Sequence, residues 1–516
     1  MTWTRASRVR LAAAGALAAA AALTPLPACT LRAQGAPFTG LDAYVVRAVK
    51  EWEVPGLAIA VVRNDSIVFA KGYGVRTLGK PEPVDAHTLF AVGSTTKAMT
   101  VTALAMLVDE GKVRWDDPVT KHLPQLQLAD PYVTRELTVR DLLTHRSGLG
   151  TVDAIWYATP NSFDEIARRL RYLPPASSLR SRFAYQNVMY ATAGQVVAAA
   201  SGKSWDAFLR ERLFAPLGMT ETNTSVAALA ALANVAAPHD RVDDTVRAVP
   251  YRSLDNIAPA GAVNSSILDM ARWVRFQLDS GRASGRRLVQ PATFAEMFTP
   301  QVIVPPAGFY PTMRLTKPHF VTYGLGWFLH DYRGRAVAMH TGSIDGMSAI
   351  IGMIPEERVG VVVLANLDHA ELRHALMYRV LDMALGPPAR DWSTEMRAMY
   401  GTLTAQARSA ERARDSMRVT GTRPSLALER YAGTYADSLY GEATVRVENG
   451  VLVLQVGSGR VGELAHWHYD TFRARWRDRA LGNAFVTFSV GPDGRARAME
   501  VEGVTTFGRV VGGGPR

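Results

Sequence analysis

The stretch "FAVGSTTKAMT", residues 90–100, places a serine and a lysine three residues apart directly after a glycine. Apolar residues continue at helical spacing and Gly111 follows as a C-terminal cap, so the stretch predicts a helix from Ser94 to Glu110. Residues three apart share one face of a helix, so the Lys97 ammonium can reach the Ser94 hydroxyl. The pattern therefore fits a catalytic pair, but taken alone it is more typical of an ordinary capped helix start.

The catalytic interpretation of this pair depends on burial of the lysine. A lysine whose charged form is disfavoured by burial can accept the serine proton. The start of the helix adds positive potential and the backbone N–H of Ser94 at the place where an oxyanion would form. Composition alone predicts about one Ser-x-x-Lys in a chain of this length, and serine is a favoured N-cap. The motif by itself does not identify an active site.

A second motif, Tyr185-Gln186-Asn187, opens the predicted helix of "FAYQNVMYATAGQVV". A phenol such as that of Tyr185 can share a proton with a nucleophile and deliver it to a leaving group. The Asn187 amide can hydrogen-bond a substrate amide or hold the lysine in place. The alternative is a half-buried tyrosine with asparagine as an N-cap, which is the commoner structure when the tripeptide is taken alone.

The third motif is His340-Thr341-Gly342 on the predicted strand "AVAMHTGS", residues 336–343. We expect this strand to lie at a sheet edge, where it lines a cleft and can pair with an extended substrate. Glycine permits a close approach of the backbone, and the next N–H, that of Ser343, is a candidate second oxyanion donor. A His-Thr-Gly tripeptide is expected by chance only about 0.05 times here. In this order the three motifs are far more specific together than singly.

Strand patterns lie at both ends of the region that carries these motifs. A hairpin is predicted from "GLAIAVV" (56–62) and "SIVFAKG" (66–72), and further strands at 336–343, 346–355 and 359–366. Helical spacing dominates between them. The pattern predicts one sheet built from both ends of the region, with a helical insertion that carries part of a cleft.

The C-terminal part of the chain has a different pattern. Residues 386–424 are rich in Arg, Ala and Glu with little apolar periodicity, which predicts an exposed, partly helical connector. Beyond it, "VRVENGVLVLQV" is a strand, an Asn-Gly turn and a strand, and "AFVTFSVGPDGRARAMEVEG" repeats the pattern with Pro-Asp-Gly. We therefore predict an all-β, barrel-like domain over residues 425–511.

Composition narrows the classes of function. The 516 residues are 48% hydrophobic and 20% charged, which is ordinary for a globular protein of more than one domain. The net charge of +11 comes mostly from arginines that are scattered among acidic residues, which argues against nucleic-acid binding. Cys29 is the only cysteine, so thiol catalysis and Cys-containing zinc sites are excluded. The two histidines of "HWH" (466–468) are too few for a metal site, and we predict neither metal nor cofactor.

The N-terminal residues have the layout of a secretory signal. Basic residues precede an apolar run at 11–23 that is too short to span a bilayer comfortably. Cleavage after Ala33 would release a soluble protein and make residues 1–33 the signal peptide. "LPAC" loosely resembles a lipoprotein box, which would leave Cys29 as a lipidated membrane anchor. We expect an exported protein, periplasmic or secreted, and favour the soluble form over the lipoprotein.

The order of the three motifs, with His-Thr-Gly in the place of Lys-Thr-Gly, resembles the serine β-lactamase and penicillin-recognising superfamily. The resemblance is to its class C-like branch, which includes DD-peptidases, D-aminopeptidases and esterases. Supporting stretches are "LTVRDLLTHRSGL" (137–149), "APAGAVNSSILDMARW" (258–273) and "YGLGW" (323–327). The similarity covers residues 37–385, and the terminal domain resembles the small lipocalin-like β domain of some peptidase-type members.

This resemblance implies a fold and a set of roles. The fold is α+β, an antiparallel sheet flanked by helices beside an all-helical subdomain, with the site in the groove between them. Ser94 is implied as the nucleophile, Lys97 as its activator and Tyr185 as a base or acid. The N–H groups of Ser94 and Ser343 would form the oxyanion hole. The residues implied in substrate binding or in the proton network are Asn187, His340, Thr341, Gly342 and Ser343.

Histidine at position 340 is the main departure from the family motif. A lysine there would meet a substrate carboxylate as a permanent cation, whereas neutral histidine offers only a hydrogen bond near pH 7. We therefore expect an exported serine hydrolase that acts on an amide or ester, above all a D-amino-acid peptide or a small ester. A class C-like β-lactamase and a penicillin- or peptidoglycan-peptide-binding protein without turnover stay open as alternatives. The sequence does not set the oligomeric state.

Overall fold

The computed structural model describes residues 38–387, 390–457 and 459–510. The predicted signal segment and Cys29 lie outside the described residues. The described chain forms a mixed helix and sheet domain followed by an eight-stranded barrel, so the predicted fold class is confirmed.

An antiparallel eight-stranded sheet organises the first domain. Its strand order is β2-β1-β8-β7-β6-β5-β4-β3, which joins the N-terminal hairpin to the last strand of the domain. The sheet is thus built from both ends of the domain, as predicted. Its strands are β1 (Gly56–Arg63), β2 (Ser66–Gly74), β3 (Val302–Ile303), β4 (Val321–Tyr323), β5 (Phe328–Tyr332), β6 (Arg335–Ile344), β7 (Met347–Ile354) and β8 (Val359–Ala365).

Helices cover both faces of this sheet. The longer helices are α1 (Leu41–Glu51), α2 (Thr96–Asp109), α3 (Asn187–Ser201), α4 (Ile267–Leu278), α5 (Leu372–Leu385) and α6 (Trp392–Ser416). Successive side chains of a strand point to opposite faces of the sheet, so each central strand contributes side chains to two separate cores. In β1, Ala58 and Ala60 belong to the core that includes α4, while Leu57 and Ile59 belong to the core that includes α5. Strands buried on both faces explain the continuous apolar runs of β1, β7 and β8.

The helical subdomain surrounds α2, whose residues from Thr96 to Leu107 are all buried. A helix that is apolar all round must be covered on every side, and α3 and shorter helices cover it here. The shorter helices of this region are Val119–His122, Pro131–Glu136, Val139–Leu143, Phe163–Arg169, Trp205–Leu209, Ala215–Leu217, Ala258–Gly261, Pro291–Met297 and Met313–Thr316. Short strand pairs join Phe90–Ala91 to Asn264–Ser265, His239–Val242 to Thr245–Ala248, and Arg282–Ala283 to Arg286–Arg287.

The sequence predicted that strand β6, which carries the third motif, lies at an edge of the sheet. This prediction was wrong. The strand lies inside the sheet between β5 and β7. Its register with β5 runs only from Arg335 to Met339, whereas its register with β7 runs on to Ile344. The half from His340 onward therefore has a sheet partner on one side, and on the other side it faces the turn that carries Ser94.

The second domain is a closed barrel. Its strands are β9 (Gly433–Asp437), β10 (Gly441–Glu448), β11 (Val451–Val456), β12 (Arg460–His468), β13 (Thr471–Trp476), β14 (Asn483–Val490), β15 (Ala496–Val501) and β16 (Thr505–Arg509). Pairing of β9 with β16 closes the barrel around an aromatic core. Helix α6 fills most of the predicted connector. In the described part of the chain, no helix combines the length and apolar character that crossing a membrane requires.

Candidate active site

Ser94 lies in a tight turn between the short strand Phe90–Ala91 and α2. Residues Gly93–Thr95 form a turn of 3-10 helix, and the α-helix begins at Thr96, two residues later than predicted. Gly93 has φ +52°, a left-handed conformation that favours glycine. We call Gly93–Thr95 the Ser94 turn. It holds Ser94 half-buried at the start of α2, where the helix dipole is positive.

Lys97 is fully buried and is held by three oxygen atoms. Its Nζ donates to Ser94 Oγ at 2.9 Å, Asn187 Oδ1 at 2.8 Å and the Ala260 carbonyl oxygen at 2.9 Å. Burial lowers the pKa of Lys97 from 10.5 to about 7, and the negative charge of Asp153 opposes this shift. A large fraction of Lys97 is therefore neutral near pH 7. A neutral amine can keep its two other hydrogen bonds while it accepts the Ser94 proton.

Tyr185 completes the set of groups around the Ser94 hydroxyl. Burial raises the pKa of Tyr185 well above its usual value, and its hydrogen bond with Ser94 acts in the opposite direction. The Lys97 amine lies 4.8 Å from the centre of the Tyr185 ring. At neutral pH the phenol keeps its proton, so this environment suits a proton donor better than a resident base.

Glycines bring the second candidate oxyanion donor next to Ser94. A Cβ on Gly342 would collide with the Val92 carbonyl oxygen and would lie 3.1 Å from Ser94 N. A Cβ on Gly93 would lie 2.7 Å from Ser343 N. Strand β6 and the Ser94 turn thus touch backbone to backbone, which only glycine permits. The two predicted oxyanion donors lie side by side.

The other residues of the third motif are held by their neighbours. His340 is buried, its Nδ1 donates to the Thr341 carbonyl at 2.6 Å, and its Nε2 accepts from the Tyr323 hydroxyl at 3.0 Å. Burial and the charge of Lys97 lower the pKa of His340 to about 3, so it is neutral near pH 7. The Thr341 hydroxyl is bonded to the Tyr310 hydroxyl at 2.6 Å. His340 lies behind the surface of the site and acts on it through its neighbours.

Several residues of the site were missed by the sequence reasoning. Asp153 accepts from Asn187 Nδ2 at 3.2 Å and from Trp156 Nε1 at 2.8 Å, and so fixes the amide that holds Lys97. His145, which lies in the stretch 137–149 but was not singled out there, stacks 4.1 Å from the Tyr185 ring centre. Its Nδ1 accepts from the Gln186 N–H at 3.0 Å. The stretch "LTHRSG" was a signal for His145, while Asp153 opens a single turn of 3-10 helix that carries no motif.

Two cavities meet at Ser94 and Ser343. The first, here called the Asn187 cavity, has a volume of about 250 Å³, and its walls include Asn187, Tyr157 and Asp345. The second, here called the Tyr185 cavity, has a volume of about 600 Å³. Residues that line it include Phe183, Tyr185, Pro305, Phe309, Tyr310 and Phe328. A carbonyl carbon at Ser94 would have one substituent in each cavity.

The barrel contacts the rim of the Asn187 cavity. Asp345 accepts from the Tyr157 hydroxyl at 2.5 Å and from Arg252 Nε at 2.8 Å. Arg252 also reaches Asp478 of the barrel, with Nη2 to Oδ2 at 2.5 Å. Arg460, a second barrel residue, donates to the Tyr157 carbonyl at 3.3 Å. The cavity wall is therefore tied to the second domain by an ion-pair chain.

Comparison with known proteins identifies the family. The model of the Beta-lactamase family matches residues 41–384, about two thirds of the chain. The chain belongs to the Beta-lactamase family. A second model, that of a domain of unknown function (DUF3471), matches residues 417–510 of this Beta-lactamase family member. The first match contains all three motifs and the second contains the barrel.

Relatives of this Beta-lactamase family member include fungal and bacterial proteins. It is 32% identical over 440 residues to the unguisins hydrolase ungD of Aspergillus violaceofuscus (strain CBS 115571), across 78% of this chain and 76% of that protein. It is 24% identical over 336 residues to protein flp of Staphylococcus aureus (strain COL), across 64% of this chain and 63% of that protein.

Solved structures share the fold over nearly the whole chain. The octameric penicillin-binding protein homologue from Pyrococcus abyssi superposes with a TM-score of 0.61 at 23% identity, across 91% of this chain and 99% of that one. The structure of SurE gives a TM-score of 0.55 at 22% identity, across 93% of this chain and all of that one. In both cases the likeness extends over more than nine tenths of this chain.

Proposed function

We propose that this protein is a serine hydrolase that forms an acyl-enzyme on Ser94 and hydrolyses an amide or ester. One observation carries the proposal: the buried Lys97 amine, with a pKa of about 7, lies 2.9 Å from the Ser94 hydroxyl. A neutral base next to a hydroxyl, at the start of a helix, is an activated nucleophile. The name of the fungal relative, a hydrolase of unguisins, supports hydrolysis as the reaction.

In the acylation step, the Ser94 Oγ–H bond breaks as Oγ attacks the substrate carbonyl carbon, and Lys97 takes the proton. The N–H groups of Ser94 and Ser343 stabilise the negative charge on the carbonyl oxygen. The tetrahedral intermediate collapses when the bond to the leaving nitrogen or oxygen breaks. That atom takes the Tyr185 hydroxyl proton, and the Lys97 ammonium then gives its extra proton to the Tyr185 phenolate, so that both groups regain their starting state.

In the deacylation step, a water molecule attacks the acyl carbon and gives up one proton to the pair of Tyr185 and Lys97. The bond between the acyl carbon and Ser94 Oγ then breaks, and Oγ recovers that proton. The products are a carboxylic acid and the free enzyme. Substrates of this type include D-amino-acid peptides and small esters.

The test replaces Ser94 by Ala and measures turnover of short-chain p-nitrophenyl esters and D-amino-acid peptides, together with labelling by a fluorescent acylating probe. We expect both to be lost, while Ser178→Ala, at an exposed serine, keeps both. Labelling or turnover that survives Ser94→Ala would overturn the proposal. A burst of one product per enzyme without further turnover on every substrate would favour a binding protein instead.

A further inference from the structure

Only one of the two cavities is lined by the proposed proton donor, Tyr185. Tyr185 lines the Tyr185 cavity and is absent from the walls of the Asn187 cavity, whereas Asn187 and Ala260 line only the latter. In the acylation step the leaving atom must meet the Tyr185 hydroxyl. The leaving group therefore occupies the Tyr185 cavity, and the acyl group occupies the Asn187 cavity. This assignment rests on the proposed function.

The Tyr185 cavity is apolar and uncharged. Among the described residues that line it, none is Lys, Arg, Asp or Glu. Aromatic rings form much of its wall, and Tyr310 packs against Phe309 and Phe328 with ring centres 5.1 Å and 5.6 Å apart. The Asn187 cavity differs in this respect, because Asp345 and Asp368 line it.

The polar groups of the Tyr185 cavity already have partners. The Thr341 hydroxyl is bonded to the Tyr310 hydroxyl at 2.6 Å, and Arg373 Nη1 donates to Ser343 Oγ at 2.8 Å. Arg373 itself is only 2% exposed and is paired with Glu371 at 3.2 Å. Lys97 is 0% exposed behind Ser94. A carboxylate in this cavity would meet apolar walls without gaining a cation in contact.

We propose that the leaving group of the natural substrate is bulky, apolar and free of a carboxylate. It is then an internal residue of a peptide, a residue of a cyclic peptide, or the neutral alcohol of an ester. A C-terminal amino acid with a free carboxylate, the leaving group of a carboxypeptidase, does not fit. The cavity volume of about 600 Å³ has room for an aromatic side chain.

The test uses two aryl esters of butyric acid whose leaving phenols differ only in charge, 4-carbamoylphenyl butyrate and 4-carboxyphenyl butyrate. Each kcat/KM is divided by the rate of alkaline hydrolysis of the same ester, which removes the difference in intrinsic reactivity. We expect the neutral ester to be preferred about tenfold or more, since the apolar wall of the cavity offers a carboxylate no paired cation. Equal use of the two esters, or preference for the carboxylate, would overturn the inference.

A variant that adds a positive charge to the Tyr185 cavity provides a second test of this preference. Ala307 lines the Tyr185 cavity and is exposed, so a long side chain fits there without disturbing the core. We expect Ala307→Arg to raise the relative use of the carboxylate ester about tenfold, and Ala307→Met, of similar length but neutral, to leave the ratio unchanged. A ratio that Ala307→Arg does not change would also count against the inference.

The proposed function and this inference fail in different ways. Hydrolysis of the neutral ester that persists in Ser94→Ala would overturn the proposed function and this inference with it. Hydrolysis that depends on Ser94 but shows no preference for the neutral ester would overturn this inference alone.

Discussion

At the scale of single residues, Lys97 sets the pH dependence that we expect. Only neutral Lys97 can accept the Ser94 proton, and burial lowers its pKa from 10.5 to about 7. Below that pH the neutral fraction falls about tenfold per unit, so kcat/KM for an uncharged ester should rise with pH and level off above about 7. The measurement is a pH–rate profile with an uncharged ester. A rise in kcat/KM near pH 10.5 instead would contradict the argument that burial lowers the pKa of Lys97.

A substitution tests the same base. Lys97→Arg keeps the positive charge, but guanidinium does not lose its proton in this range. We expect kcat/KM to fall by about 10³, the contribution typical of a general base. The control is Lys121→Arg, whose side chain is 55% exposed and pairs with Asp117. Activity of Lys97→Arg close to that of the control would rule out Lys97 as the base.

The buried hydrogen bond between Tyr323 and His340 predicts an effect on stability. The Tyr323 hydroxyl donates to His340 Nε2 at 3.0 Å, and both residues are buried. Tyr323→Phe removes this donor and leaves the buried nitrogen without a partner. We expect the free energy of unfolding to fall by about 1–3 kcal/mol, measured by urea denaturation. Tyr132→Phe, at a tyrosine that is 55% exposed, serves as the control. Equal stability of the two variants would contradict the expected cost.

The catalytic candidates were accessible from the sequence because each motif is local. Ser94 and Lys97 lie one helical turn apart, and Tyr185 and Asn187 stand two positions apart at a helix start, so short-range spacing was enough. Asp153 was not accessible, because it is a single acidic residue at the start of one turn of 3-10 helix. Its role follows from the path of this segment past Asn187, which no periodicity encodes.

At the scale of secondary-structure elements, the contact between β6 and the Ser94 turn predicts a steric effect. Gly342→Ala would place a methyl group against the Val92 carbonyl oxygen, so strand and turn must separate. The Ser343 N–H would then move away from the Ser94 N–H. We expect kcat to fall by about 10² or more, since loss of one oxyanion donor costs that much. Steady-state kinetics with an uncharged ester gives the measurement.

The matched control is another glycine in the same chain. Gly401 lies inside helix α6, and a Cβ built on it meets nothing within 4 Å. Gly401→Ala should leave kcat unchanged and stabilise the protein by up to about 1 kcal/mol, because alanine is the better helix former. If Gly342→Ala behaved like Gly401→Ala, close packing of β6 on the turn would not be what holds the donors together.

The prediction of elements from the sequence was good for long patterns and poor for short ones. The strands around Val61 and Val363 were predicted because their apolar runs are long. The position of β6 within the sheet was not, since the three strands that lie outside it, β5, β4 and β3, have only five, three and two residues. Pairing partners are set by the tertiary arrangement, so an internal strand was taken for an edge.

At the scale of the whole molecule, the barrel supports one wall of the Asn187 cavity through Asp478 and Arg252. Asp478→Ala removes the barrel end of this chain, so that Arg252 keeps Asp345 as a partner but loses its tie to the barrel. We expect KM for esters with bulky acyl groups to rise about two- to fivefold, the effect of one partly exposed ion pair, while acetyl esters change little. The readout is KM across a series of acyl groups.

A control variant lies on the same barrel. Asp493 pairs with Arg497 at 3.7 Å, and both side chains are more than half exposed. Asp493→Ala should therefore leave KM unchanged for every acyl group. If both variants gave the same KM series, the barrel would be attached to the first domain without shaping the cavity.

The backbone contact between Gly93 and Gly342 also has a consequence for biosynthesis. The two N–H groups that would hold an oxyanion come from opposite ends of the hydrolase domain, and they meet only when β6 is in place beside the Ser94 turn. A chain still being synthesised has Ser94 and Lys97 long before it has Ser343. Esterase activity should therefore appear late in refolding, after most helical structure has formed.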